Sequence, residues 1–282
     1  MANVPNLSLN DGNTIPQLGF GAFQVPPEDT ARITGQAFEA GYRHIDTAEM
    51  YRNEKGVGEA IRDAGIPREE LFITSKLNNG FHEPDKARAA FDQTLKDLGL
   101  EQVDLFLIHW PLPTQYDGDF VSTWKTLIEF KEDGRARSIG VSNFQPDHLA
   151  RLAAETDVVP AVNQIEVHPY LGNEEARSAN EAAGILTESW SLIAQGGVLD
   201  DEVITKIAAE VGRTPAQVTL RWHVQRGDIV FPKSSSPERM AENFALFDFE
   251  LEDQAMQDIT ALDRGEKGRT GPNPDVFDFI PD

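Results

Sequence analysis

Val103-Asp104-Leu105-Phe106-Leu107-Ile108-His109 is an almost unbroken apolar run that ends on an imidazole. A run this uniformly apolar suits a strand covered on both faces, as strands of a parallel sheet are. An amphipathic stretch from Val121 to Glu132 follows it, and then a second apolar run, Ala136–Val141. Before it, the run Leu71–Ser75 leads into a helical stretch from Pro84 to Leu98. The alternation continues in both directions. Strands are predicted near Leu18–Phe20, His44–Asp46, Ala161–Glu166, Ile185–Ser189 and Ile229–Phe231. Helices are predicted near Thr30–Ala40, Glu54–Ala64, Pro146–Glu155, Glu174–Ala183, Asp201–Val211 and Pro215–Gln225, and from Pro237 onward. Eight strand–helix units is the count of a (β/α)8 TIM barrel; an open doubly wound sheet shares the alternation and remains the alternative.

The punctuation agrees with these boundaries. Thr214-Pro215 and Ser236-Pro237 each place a capping residue before a proline at the first helical position. Gly41, Gly65, Gly99, Gly134, Gly184 and Gly212 fall where helices should stop. Leu7–Ile15 carries Asn10-Asp11-Gly12-Asn13, a hairpin signal, and is expected to form an N-terminal β-hairpin lid on one end of the barrel. No linker divides the chain, so residues 1–282 are read as one domain, with 265–282 as a tail near the barrel mouth.

Of 282 residues, 40 % are hydrophobic, enough for a large core. Twenty-five Lys+Arg against 47 Asp+Glu give a net charge of −22. Such a surface repels phosphate backbones and anionic lipid heads, so no nucleic-acid or membrane role is expected. The charge serves solubility or, on a sharper reading, adaptation to high salt. Without cysteine there is no disulfide, thiolate metal site or Cys nucleophile. Met1–Asn10 lacks the features of a signal peptide, and no stretch approaches the length of a membrane span. A cytoplasmic protein is expected, with no metal.

Polar residues collect at the C-terminal ends of the predicted strands: Asp46, Lys76, His109, Ser142 with Asn143, Gln164, Trp190, and Lys233 with Ser234. In a barrel these ends share one rim, where active sites are built. Each residue alone has an ordinary explanation. Asp46 is compatible with a helix cap, Tyr51 with a packed aromatic, Lys76 with a solvated charge and His109 with a satisfied core histidine. Together they form a site hypothesis. A Lys paired with an Asp stabilises a nearby phenolate, which would bring a Tyr down from about 10 toward neutrality. Such a Tyr can protonate a developing alkoxide while a His polarises the carbonyl. The set suits carbonyl reduction by a hydride cofactor and holds no nucleophile–base pair for acyl transfer.

At these residues the chain resembles the aldo-keto reductases from about Leu7 to Arg264, and within them the bacterial 2,5-diketogluconate reductase type. Gly41-Tyr42-Arg43-His44-Ile45-Asp46-Thr47-Ala48 with Tyr51, Asn53 and Glu54 is similar to the family's first signature. So are the segments Val103–Pro111, Ile139–Phe144, Asn163–Pro169 and Phe231-Pro232-Lys233-Ser234 with Arg239, Glu242 and Asn243. The resemblance implies that Tyr51 is the general acid, tuned by Lys76 and Asp46, with His109 orienting the carbonyl. It implies that NADPH (NADH less readily) lies across the mouth. Ser142, Asn143 and Gln164 would hold the nicotinamide carboxamide, with Trp190 stacked on the ring and Ser191 beside it. Lys233, Ser234 and Arg239 would hold the 2′-phosphate, and Glu242 and Asn243 the adenine. Gly196-Gly197 would hinge over the pyrophosphate. Phe23, Asn78 and Trp110 are the substrate-pocket candidates, facing a small carbonyl compound; a monomer is the family's common form. The absence of GxGxxG after the first strand fits a cofactor bound away from any Rossmann site.

Three positions depart from the resemblance: Asn78 where relatives carry Trp, Leu192 where Pro is usual, and Ser236 where a base is frequent. Two other functions compete with the reductase. One is a Schiff-base lyase built on Lys76, opposed by the Asp46 partner. The other is a cofactor-sensing binding protein with little turnover, opposed by the intact Asp46, Tyr51, Lys76 and His109.

Overall fold

The computed structural model describes residues 4–281, so Met1 and the extreme ends of the predicted domain lie outside it. Eight parallel strands follow one another around a single sheet: β3 (Phe20–Gly21), β4 (His44–Asp46), β5 (Phe72–Leu77), β6 (Val103–Ile108), β7 (Ala136–Ser142), β8 (Val162–Glu166), β9 (Leu186–Trp190) and β10 (Ile229–Val230). The last strand returns to the first. Gly19 N–H donates to Val230 O at 2.8 Å, and Val230 N–H donates to Gln17 O at 3.0 Å. Leu18 pairs with Val230 in parallel, which closes the barrel and excludes the open sheet. Closure depends on one glycine, because a Cβ at Gly21 would lie 2.5 Å from Phe231 O.

Helices α1 (Pro27–Ala40), α2 (Glu54–Asp63), α3 (Pro84–Leu98), α4 (Phe120–Glu132), α5 (Pro146–Glu155), α6 (Glu174–Ala182), α7 (Glu202–Val211), α8 (Pro215–Gln225) and α9 (Pro237–Phe244) surround the sheet. Five of them start on a proline, whose fixed φ suits the first turn and whose missing N–H would have no partner there. Both predicted caps form: Thr214 Oγ1 accepts from Gln217 N at 3.2 Å and Ser236 Oγ from Arg239 N at 3.4 Å. Gly41, Gly99 and Gly212 end their helices in the left-handed region. One helix, α10 (Asp253–Thr260), has no counterpart among the predicted elements. Of its residues only Ile259 is buried, so its apolar stripe is too thin to read.

The hairpin β1 (Asn6–Ser8) and β2 (Thr14–Pro16) pairs antiparallel, as expected. It seals the end of the barrel opposite the polar rim. Leu9 and Ile15 pack with Phe72, Leu105, Ala161 and Ile229. Asn10 Nδ2 donates to Pro160 O at 2.8 Å, and Asp11 pairs with Lys131 at 3.0 Å. Between sheet and helices lies the main core. There Phe91 meets Phe106 and Phe130 with ring centroids 4.4 and 4.3 Å apart. Phe91 is wholly buried. Phe91→Ala should lower unfolding free energy by about 3–5 kcal/mol, read as a shifted midpoint in urea denaturation. A shift under ~1 kcal/mol would mean that the cluster does not hold α3 to the sheet.

Candidate active site

Asp46 ends β4, and Lys76 stands near the end of β5. Both are buried, and their strands are adjacent in the barrel. Lys76 Nζ donates to Asp46 Oδ1 at 2.7 Å and to Thr47 O at 2.9 Å. An ammonium without water needs such partners. Burial pulls the Lys76 pKa down, but opposing causes led by the charge of Asp46 outweigh it, and the ammonium is held above its ordinary value.

Tyr51 arrives by a short 3-10 turn, Glu49–Tyr51, that leaves β4 and ends on Arg52 in the left-handed region. The Lys76 ammonium lies 5.2 Å from the Tyr51 ring centroid, and its charge favours the phenolate. His109, one residue past β6, packs edge-on to the Tyr51 ring at 5.7 Å. The four expected residues therefore meet at one point.

One sequence expectation is corrected. Tyr51 does not drop toward neutrality; its pKa is raised. Burial is the largest cause and Asp46 adds to it, against the pull of Lys76. The pairwise argument from Lys76 left out the desolvation of a phenolate. His109 is held far below its ordinary range by burial and by the Lys76 charge, so it is neutral. Its buried Nδ1 has no hydrogen-bond partner.

Asn53 sets the loops above this point. Its Nδ2 donates to Ala22 O at 2.9 Å and to Val25 O at 3.2 Å, and its Oδ1 accepts from Thr47 Oγ1 at 2.9 Å. The carbonyl that receives Lys76 belongs to that same Thr47. Glu54 ties α2 to the sheet through Ser75 Oγ at 2.5 Å, and burial raises it to about 7.

Ser142, Asn143, Gln164 and Trp190 form one network beside the four. Ser142 Oγ donates to Gln164 O at 2.8 Å. Asn143, in the left-handed region, donates from Nδ2 to His109 O and to Ser142 Oγ, and accepts from Trp190 Nε1 at 2.9 Å. Gln164 Nε2 donates to Asp46 Oδ2 and to Glu188 Oε2, both at 2.9 Å. Ser191 follows in a left-handed conformation, its hydroxyl 2.9 Å from Thr270 Oγ1.

Lys233, Ser234 and Arg239 lie around the start of α9. Neither cation takes part in a salt bridge among the described residues, although Glu238 shares their turn. Two free cations at a helix N-terminus suit an anion. Glu242 is already engaged: it accepts from Thr214 Oγ1 at 2.5 Å, tying α9 to α8. Asn243 lies one residue further along the same helix. Gly196 ends a short 3-10 turn, Ala194–Gly196, with φ at +97°, and Gly197 follows it.

The pocket candidates line the mouth. The Phe23 ring lies 5.1 Å from that of Tyr51. Asn78 donates to the Glu49 carboxylate, so the position expected to lose an aromatic wall gains an amide–carboxylate pair. The Trp110 ring lies 4.2 Å from that of Phe277, a residue the sequence had not marked, and is tilted by 43° to it. The tail does reach the mouth: Asn79 Nδ2 donates to Phe279 O at 2.9 Å. The buried carboxylate of Glu166 anchors it, accepting from Thr270 N and Oγ1 at 2.6 Å and from Gly271 N at 3.1 Å. Gly271 sits against Trp190, where a Cβ would come 2.3 Å from the ring. Glu166 lies within a quoted motif, but its role shows only once the tail is placed.

A barrel with an Asp, Lys, Tyr and His at its mouth and an amide network beside them is the arrangement of a carbonyl reductase. The chain belongs to the aldo/keto reductase family, whose pattern matches residues 17–264. It is 52 % identical to an aldo-keto reductase of Mycolicibacterium smegmatis, over 98 % of both chains. It is 47 % identical to the methylglyoxal reductase DkgA of Escherichia coli, over 98 % of this chain and 99 % of the other. The solved structure of a Gox0644 variant in complex with NADPH superposes with a TM-score of 0.94 at 45 % identity, covering 99 % of this chain and all of that one. The protein is thus an oxidoreductase of small carbonyl compounds that uses a nicotinamide cofactor. No helix among the described residues is long and apolar enough to cross a membrane.

Replacing Lys76 by Met would leave Asp46 buried without its cation. Unfolding free energy should fall by about 3–5 kcal/mol at pH 7. Denaturant titration checks this, and an unchanged midpoint would show that water reaches Asp46.

Proposed function

We propose that the protein is an NADPH-dependent reductase of aldehydes and ketones, of the dicarbonyl or keto-sugar kind, with Tyr51 as general acid. The observation that carries this reading is the phenol of Tyr51, beside a Lys76 ammonium that Asp46 fixes and edged by a neutral His109.

The raised pKa of Tyr51 supports the assignment. An acid must carry its proton at working pH, and this phenol does. As the carbonyl oxygen takes up charge it becomes far more basic than a phenolate, and the proton moves from Tyr51 to it. Lys76 then faces the phenolate left behind and lowers its energy. His109, neutral, can donate one N–H to the same oxygen, holding the carbonyl against Tyr51. Solvent restores the proton to Tyr51.

The residues fit the cofactor. Gln164 spends both amide hydrogens inward, and its oxygen keeps no partner among the described residues. Asn143 and Trp190 stand next to it, and Lys233, Ser234 and Arg239 supply an anion site at α9. NADPH would supply the hydride, and the 2′-phosphate preference would rest on Lys233 and Arg239. The network leaves Asn143 less free than the sequence suggested, since its own amide is bonded on both sides. The likeness to DkgA makes methylglyoxal and 2,5-diketogluconate the first substrates to try.

NADPH absorbance followed with each of them should show turnover. In Tyr51→Phe kcat should fall by roughly 10²–10⁴-fold while NADPH binding is kept. Tight NADPH binding without turnover in the parent would favour a cofactor sensor, and no NADPH binding would overturn the cofactor assignment. A second outcome follows from His109. Because it is already neutral, the rate at saturating NADPH should show no acidic limb near pH 6.5; a limb there would mean that His109 keeps its ordinary pKa and stops working when protonated.

A further inference from the structure

Glu188 has no part in the chemistry above, yet it stands in the middle of it. It lies on β9 with no exposed surface, and its Oε1 has no hydrogen-bond partner. β8 and β9 run parallel with Gln164 directly opposite Glu188. Adjacent in-register positions point to the same side of a sheet, so both side chains enter the barrel. There Gln164 Nε2 sits between two carboxyl groups, 2.9 Å from Asp46 Oδ2 and 2.9 Å from Glu188 Oε2.

The two bonds differ in what they fix. One N–H given to Asp46 sets a distance and leaves the amide plane free to swing about that bond. A second N–H given to Glu188 sets the plane. With both hydrogens directed inward, the amide oxygen must face away from them. We propose that Glu188 is a positioning residue of the reductase site, locking the Gln164 amide so that its oxygen can accept an N–H from the primary carboxamide of the nicotinamide. This rests on the NADPH reading given above.

The protonation state agrees with that role. Burial, with the Asp46 charge added, raises Glu188 to about 8, while Gln164 and Lys76 pull the other way. At neutral pH its proton can occupy the otherwise unpartnered Oε1 and leave Oε2 as the acceptor. The charged groups facing it are Asp46 from β4 and Lys76 from β5. Ionisation above pH 8 adds a second negative charge that acts on the Asp46–Lys76 pair and so opposes the negative charge the transition state builds beside Lys76. Reduction should therefore slow as Glu188 ionises.

The test uses the full-length protein, with E188L to remove the acceptor and E188Q to keep an acceptor oxygen and remove the titration. Kd is measured for NADP+ and for its 3-acetylpyridine analogue, which has no carboxamide N–H. The parent and E188Q should favour NADP+, and E188L should lose about tenfold of that preference. An unchanged preference in folded E188L would overturn the proposal, as would a parent that binds both ligands equally. A parent that binds neither would sink the cofactor reading itself, and this inference with it. The rate against pH supplies an arm that does not need E188L to fold. A decline near pH 8 in the parent should vanish in E188Q, and its persistence there would overturn the proposal.

Discussion

The buried ammonium of Lys76 is the constraint on which the mouth of the barrel depends. A charge in that position costs several kcal/mol unless paired, and it is paired by Asp46 at 2.7 Å. The layer then balances only if Glu188 carries its proton, since a second free carboxylate would leave the interior net negative. Burial first, and the Asp46 charge after it, raise the pKa of Glu188 and so favour that balance. The same pair fixes what surrounds it. Asp46 reaches Gln164 with its second oxygen, Lys76 reaches Thr47 O, and Asn53 holds Thr47 to the loop after β3. A site that must be dry to be strong is thus also a site whose register cannot slip.

Much of this was legible in the chain. Strands covered on both faces must be apolar, so the polar residues at their ends stood out, and the end of a barrel strand is where the rim lies. Prolines at helix starts and glycines past helix ends gave boundaries close to the observed ones, with α3, α5 and α8 running as expected from Pro84, Pro146 and Pro215. What escaped was set by tertiary contact. The 3-10 turn that swings Tyr51 under Lys76 has no propensity signal; it forms because Tyr51 packs against His109 and Phe23. Glu188 sits inside a strand rather than at its end, and nothing in Leu186-Thr187-Glu188-Ser189-Trp190 says which residues face inward until the register with β8 is known. The tail is polar and glycine-rich, and its place comes from long-range contacts such as the anchor on Glu166 and the bond from Asn79 to Phe279 O.

The acid–base error is instructive for the same reason. A lysine beside a tyrosine suggests a lowered phenol pKa, and the pairwise attraction is indeed present. It is smaller than the loss of water around the phenolate. For a general acid this is the useful direction, since the proton is kept until the substrate oxygen develops enough charge to take it. Lys76 is then needed for the phenolate left after transfer rather than for one that exists beforehand.

The wall of the pocket obeys a second constraint, set by Glu166. Its carboxylate is buried, yet bonds from His168, Thr270 and Gly271 hold its pKa below the ordinary value, so it remains a charged anchor for the tail. Gly271 has to be a glycine there, because any side chain would enter the Trp190 ring. The tail therefore meets Trp190 directly, and Phe277 carries the same surface on to Trp110. Opposite them, Asn78 and Glu49 give the mouth a polar side. The mouth thus joins an aromatic face, fixed by the anchored tail, to an amide–carboxylate face, and each is held by contacts made within the chain.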